Sequence, residues 1–258
     1  MNEDRNKRRE FLKTITTFGA AASLPAFLQA VPLQETTQTK EGDGYTFLFQ
    51  GDSITDGNRT RNNDWNHVMG HGYQFIVASK LWYEQPAKKF QFFNRGISGN
   101  KVADLAARWQ KDTLDLKPDV LSILIGINDV SAFIDGNNAF AAEAYEKGYR
   151  SLLDQTSQQI QNVQFVLCEP FVLPVGRVKD KWSEYSSEVQ KRQQVVRRLS
   201  EEYNAVFVPF QEAFNKALSK APAEYWIWDG IHPMPAGHEL MAREWLKQAG
   251  KKLTFIKS

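Results

Sequence analysis

Tyr45-Thr-Phe-Leu-Phe-Gln50 runs without interruption into Gly51-Asp52-Ser53-Ile54-Thr55. Near-continuous aromatic and aliphatic residues ending at a glycine describe a short strand buried on both faces, as strands of a parallel sheet are. Four more runs of this kind follow, at residues 90–94, 120–125, 163–168 and 205–209. The segments between them have helical period. Residues 72–84 place Phe75, Ile76, Ser79 and Trp82 on one stripe, and residues 102–116 repeat Leu105, Trp109, Thr113 and Leu116. Residues 143–160, 184–203 and 236–248 read the same way, with Pro235 suited to a first helical turn. Alternating strand and helix predict an α/β fold, a three-layer α/β/α sandwich around a central five-stranded parallel sheet with right-handed crossovers. The one long irregular stretch, residues 170–183, leaves the carboxyl end of a strand and is placed to wall a site.

Ligands of open α/β sheets bind beyond the carboxyl ends of the strands. Four segments near those ends carry chemistry: Gly51-Asp52-Ser53, Asn94-Arg-Gly-Ile-Ser-Gly-Asn100, Gly126-Ile-Asn-Asp129 and Trp228-Asp-Gly-Ile-His-Pro233. A serine hydroxyl is a weak nucleophile at neutral pH and needs an imidazole to take its proton and an acid to orient that imidazole. Ser53, His232 and Asp229 fill these roles. A tetrahedral intermediate also needs fixed donors for its oxyanion, and the backbone N–H groups of Ser53 and Gly99 and the side-chain amide of Asn128 can supply them. Asp52 and Asp56 flank the serine, and the expectation for both is that they fix its turn by accepting backbone N–H groups.

These four blocks, in this order, resemble the SGNH hydrolases, also called the GDSL family, over about residues 45–246. The first block departs from the family name in its last position, where Ile54 stands. The resemblance implies a flavodoxin-like hydrolase fold without a cofactor, with Ser53 as nucleophile, Gly99 and Asn128 in the oxyanion hole, Asp229 as acid and His232 as base. The longer strings, including Pro118-Asp-Val-Leu-Ser-Ile-Leu-Ile-Gly-Ile-Asn-Asp129, are especially similar to bacterial acetylxylan esterases. That implies an esterase removing acetyl or other small acyl groups from acetylated oligo- or polysaccharide. A lysophospholipase or thioesterase of the same family is the alternative within enzymes, and a carbohydrate-binding protein with a vestigial site is the alternative outside them.

At 258 residues with 42% hydrophobic content, the chain can bury one core, and residues 45–258 are expected to form one hydrolase domain. A net charge of +2 with both signs interspersed gives no sign of a nucleic-acid groove or a polybasic membrane surface. Lys7-Arg-Arg-Glu-Phe-Leu-Lys13 resembles a twin-arginine export signal, and a short, mildly apolar run follows it. Residues 1–30 are therefore expected to be a signal, residues 31–44 a polar linker, and the mature protein periplasmic or extracellular, with no membrane partner once the signal is removed. A homo-oligomer is compatible with the sequence. Cys168 is the single cysteine and lies in an apolar strand, so it reads as an inert core thiol.

Trp65, Trp182, Trp226 and Trp228 are candidate platforms for a sugar ring. His67 and His71, with Asp64 nearby, have the spacing of two metal ligands on one turn. They lack the intervening glutamate of a zinc hydrolase, and the expectation is local hydrogen bonding with no metal. His238 reads as structural.

Overall fold

In the computed structural model, which describes residues 44–257 except Asn63, the first strand, β1 (Thr46–Gly51), alternates its side chains between two cores. Phe47 and Phe49 enter one and Leu48 the other, each fully buried. The remaining strands are β2 (Gln91–Asn94), β3 (Val120–Leu124), β4 (Gln164–Cys168) and β5 (Val206–Val208). All pair in parallel in the order β2-β1-β3-β4-β5. The helices, in chain order, are α1 (Ser53–Asp56), α2 (Tyr73–Glu84), α3 (Val102–Asp112), α4 (Ile127–Ile134), α5 (Ala142–Gln159), α6 (Trp182–Glu202), α7 (Phe210–Ala217), α8 (Ala223–Trp226) and α9 (Pro235–Lys252). The core containing Phe47 and Phe49 also takes Tyr73, Val77 and Leu81 of α2, Phe210 and Phe214 of α7, and Met241 and Trp245 of α9. The core containing Leu48 takes Leu105 and Trp109 of α3, Tyr149 and Leu152 of α5, and Val196 and Leu199 of α6. The expected three-layer sandwich is therefore the observed one. The expected export signal and all of the linker except Gly44 lie outside the described residues.

Local readings differ from this structure in four respects. The buried face of α2 is Tyr73, Val77, Ala78 and Leu81, whereas Phe75 is 40% exposed and Ile76 and Trp82 are half-buried. With apolar residues around most of this helix, periodicity does not single out the inward side. The helix expected over residues 102–116 stops at Asp112 and continues as a 3-10 turn, Leu114–Leu116. The run at residues 90–94 is an edge strand with Gln91 exposed and Phe93 half-buried, so it is not covered on both faces. The short helices α4 and α7, absent from the sequence reading, complete the connections after β3 and β5.

Buried polar groups tie the layers together. Trp245 Nε1 of α9 donates to Ser122 Oγ of β3 at 3.0 Å, and Trp109 Nε1 donates to Thr156 Oγ1 of α5 at 3.0 Å. Just past β4, Glu169 Oε1 accepts the Gln211 N–H at 2.9 Å. Burial pushes the Glu169 carboxyl up to about 7, and the Gln211 N–H opposes that rise. Between the ordinary carboxyl range and about pH 7, the folded chain thus holds a proton that the unfolded chain has released. This group's contribution to stability is present at lower pH and is lost as pH rises through 7. Glu169→Gln, which keeps the acceptor and removes the titration, should flatten the fall of the thermal midpoint between about pH 5 and 8. An unchanged slope would contradict this assignment.

The sheet order also locates a crevice. From β1 the chain runs outward to β2, then crosses back to β3 on the other side, so β1 and β3 are neighbours whose connections diverge. Such a switch point opens a cleft at the carboxyl ends of the two strands. Gly51 pairs with Leu124, which sets the ends of β1 and β3 level.

Candidate active site

Ser53 is the first residue of α1, separated from the end of β1 by Asp52 alone. The preceding residue, Asp52, caps this short helix, its Oδ1 accepting the Ile54 N–H at 3.0 Å. A residue at the first helical position has no intrahelical acceptor for its N–H, so that of Ser53 is a donor for the cleft. Burial pushes the Asp52 carboxyl up to about 7, opposed by the Ile54 N–H and by His232.

The chain returns to this point from the far end of the sheet. Ile227 and Pro233 form an isolated antiparallel bridge, and Trp228 N–H donates to the His232 carbonyl at 3.2 Å, closing a loop over residues 227–233. Inside it, Asp229 Oδ1 accepts the N–H groups of Ile231 at 3.0 Å and His232 at 2.7 Å. Asp229 Oδ2 takes His232 Nδ1 at 2.8 Å. The Asp-x-x-His spacing is thus a local turn in which one carboxylate organises the backbone and the ring together. Burial would raise the Asp229 carboxyl, but the contacts from His232 and Ile231 outweigh it and hold it at about 2. An acid held ionised beside Nδ1 fixes the proton on that nitrogen and leaves Nε2 as an acceptor. Nε2 lies 2.8 Å from Ser53 Oγ. Ser53, His232 and Asp229 therefore form one hydrogen-bonded chain built from opposite ends of the sequence.

The two other candidate oxyanion donors follow β2 and β3. Asn100 N–H donates to the Ile97 carbonyl at 3.1 Å, making a turn with Ser98 and Gly99 at its centre. Gly99 has φ +82°, the left-handed value that a type II turn requires at its third residue. Asp56 Oδ2 holds this turn by accepting the Ser98 N–H at 3.0 Å and the Ser98 hydroxyl at 3.2 Å, and Asp56 also pairs with Arg61. Asp52 and Asp56 both make the backbone contacts expected of them, and Asp56 extends its hold to a second loop. Asn128 lies in the first turn of α4, and its Nδ2 donates to the Asn100 carbonyl at 3.1 Å, linking the two loops. Beside it, Asp129 Oδ1 accepts the Val102 N–H at 3.3 Å, and burial pushes its carboxyl up to about 7.

The four tryptophans separate. Trp228 is 61% exposed and stacks on the His232 ring, with centroids 6.2 Å apart and planes at 25°. Trp65 is 74% exposed on the segment between α1 and α2. Trp226 is half-buried, its Nε1 donating to the Ala221 carbonyl at 3.2 Å and its carbonyl accepting the Met234 N–H at 2.8 Å. Trp182 starts α6, packs against the core and lines a surface groove with Val172, Gln190 and Gln211, none of them among the candidate site residues. Trp228 alone of the four makes a ring contact with the Ser53–His232–Asp229 chain.

His67 Nδ1 bonds Asp64 Oδ2 at 2.7 Å in an exposed turn, whereas the His71 ring meets His238 edge-on at 6.5 Å. Among the described residues, no group of three or more His, Cys, Asp or Glu side chains is disposed to hold a metal ion. His238 Nδ1 accepts the Tyr73 N–H at 3.2 Å, and burial lowers its imidazole to about 4. Cys168 is buried at the end of β4, and burial raises its thiol well above the ordinary range.

The sequence of residues 49–240 matches the GDSL-like lipase/acylhydrolase family. The chain belongs to this family. An acetylxylan esterase from Geobacillus stearothermophilus is 36% identical over 224 residues, spanning 82% of this chain and 96% of its own length. The crystal structure of that esterase superposes with a TM-score of 0.72 over 82% of this chain and 97% of its own, at 35% identity. A Parabacteroides merdae protein assigned to the GDSL-like lipases superposes with a TM-score of 0.77 at 42% identity, over 81% of this chain and 97% of its own. The chain is thus a carboxylic ester hydrolase by family, with the fold of its solved relatives.

Proposed function

We propose that the protein is an exported serine esterase that removes acetyl or other small acyl groups from acetylated oligo- or polysaccharide. The observation that carries this reading is the chain from Ser53 Oγ through His232 to Asp229, with both links at 2.8 Å. Ser53 Oγ attacks the ester carbonyl as His232 Nε2 takes its proton, and Asp229 stabilises the imidazolium. The oxyanion is met by the Ser53 and Gly99 N–H groups and by Asn128 Nδ2. His232 returns the proton to the sugar oxygen, which leaves as an alcohol. A water molecule, deprotonated by the same imidazole, then releases the carboxylic acid and restores Ser53. The sugar and the acetyl preference are supported by the likeness to an acetylxylan esterase, and export by the Lys7–Lys13 segment.

The test is acetate release from acetylated xylan and its oligosaccharides, run beside aryl esters of increasing chain length. The expected kcat/KM falls from acetate to butyrate to octanoate, because preference for a long chain would need an apolar channel recovering about 0.8 kcal/mol per methylene. Preference for octanoate would favour a lysophospholipase or thioesterase instead. Trp228→Ala should lower kcat/KM on acetylated xylo-oligosaccharide by about 2- to 10-fold, the range of an aromatic stacking contact, and on aryl acetate by less. Equal losses on both substrates would remove Trp228 as a sugar platform.

A further inference from the structure

Asp229 carries one contact that the proton path does not use. Arg177 Nε lies 3.2 Å from Asp229 Oδ2, the oxygen that also holds His232 Nδ1 at 2.8 Å. Arg177 sits on the 3-10 turn Gly176–Lys181, within the irregular stretch that follows β4. This turn is pressed onto the backbone of the acid. Gly176 has φ +52°, and a Cβ there would fall 2.4 Å from Asp229 Cα. A Cβ on Gly230 would fall 2.6 Å from the Val175 carbonyl oxygen, and Leu173 N–H donates to the Gly230 carbonyl at 3.1 Å. The backbone that launches the Arg177 side chain is therefore fixed against the loop that presents the acid.

We propose that Arg177 is a positioning residue that acts through Asp229 to set the low-pH edge of the esterase's activity, extending it toward acid. The inference deepens the esterase reading above and rests on it. A lone carboxylate at Nδ1 stabilises the imidazolium, which is the inactive form of the base. A guanidinium on the same oxygen partly offsets that charge and stands within about 6 Å of the ring nitrogen, where a second cation is disfavoured. Removal of the guanidinium is then expected to move the acid limb of the rate profile upward. Because Arg177 is more than half exposed, solvent and salt screen the effect, and a shift of about 0.5 pH unit is the expected scale. The other titratable groups coupled to His232 are Asp52 at the β1–α1 junction, whose carboxyl is pushed up to about 7 by burial, and His238 of α9, whose imidazole burial lowers to about 4. Both are retained in Arg177 variants, so differences among those variants report Arg177.

Two rates test the proposal between about pH 4.5 and 8, at low and high ionic strength: labelling of Ser53 by an aryl phosphonate, and kcat/KM for aryl acetate. Arg177→Gln is expected to move the acid limb of both profiles up by about 0.5 pH unit at low salt, with the plateau kept within about twofold. Arg177→Lys should leave the limb in place, Arg177→Glu should move it further up, and high salt should shrink both displacements. Coincident acid limbs for Arg177→Gln and the parent would overturn the proposal, as would a lowered plateau with an unmoved limb, which marks a purely structural tie. Ser53→Ala separates the two levels of inference. If that variant is still labelled and still turns over, the Ser53-based esterase reading on which the role of Arg177 rests fails. If it is inert while the Arg177 limbs coincide, the role of Arg177 alone is lost.

Discussion

Ser53→Ala is expected to lower kcat by about 10³-fold or more while the protein stays folded. The size follows from the function of the group removed. Without Oγ there is no atom to form the acyl-enzyme, and His232 Nε2 loses the donor that lies 2.8 Å from it. What remains is whatever the oxyanion donors and substrate binding provide, so activity should fall to a residue rather than to zero. A loss of 10³-fold corresponds to about 4 kcal/mol of transition-state stabilisation. The cost to folding is of a different order. One half-exposed hydroxyl and one hydrogen bond are removed, worth about 0.5–1.5 kcal/mol, and the cap made by Asp52 on Ile54 is left intact. Kinetics on the purified variant, thermal melting and mass spectrometry after phosphonate treatment check the three parts together. Near-parent kcat in a folded variant, or stoichiometric labelling without Ser53, would remove Ser53 as the nucleophile.

The candidate site is more legible in the sequence than some of the structure around it, because its residues sit at local turns and helix starts. Ser53, Gly99, Asn128, Asp229 and His232 each follow a local rule. Serine opens a helix after a strand, glycine takes a left-handed φ, and an Asp-x-x-His turn folds on itself through backbone donors. Strand β3 is equally plain, because it is apolar except for Ser122 and buried throughout. Residues whose placement depends on distant partners could not be read this way. The inward face of α2 is chosen by α9 and β1, and a helix apolar on several sides does not announce it. Arg177 reaches Asp229 from a loop 52 positions earlier in the chain, with no motif around it to mark the contact. Trp182 and Trp226 look like Trp228 in the sequence, but both rings pack against the core, Trp226 Nε1 donates to the Ala221 carbonyl, and of the three only the ring next to Asp229 in the chain stacks on His232. Long-range tertiary contacts thus decided what composition and period left open.

Asn128→Ala is the second large effect expected, a fall in kcat of about 10²–10³-fold with a much smaller change in KM. The amide has two N–H groups. One is committed to the Asn100 carbonyl at 3.1 Å, which fixes the amide plane against the loop carrying Gly99 and leaves the other for the substrate oxygen. An ester carbonyl in the ground state gains little from that donor, whereas the same oxygen carries a full charge in the tetrahedral intermediate. Loss of the donor therefore belongs in kcat. Truncation also cuts the tie to Asn100, so a loosened Gly99 turn could mimic a lost donor. That turn is held independently by Asp56 through Ser98, which limits the disturbance. Asn128→Asp is a second test of the donor. It preserves size but, like alanine, cannot donate to the Asn100 carbonyl, and it puts an acceptor whose charge repels the oxyanion in place of a donor, so its loss should equal or exceed that of alanine. If Asn128→Asp retained near-parent kcat, or if Asn128→Ala raised KM alone, the side chain would belong to substrate binding, and the oxyanion would have to be met by the backbone donors of Ser53 and Gly99.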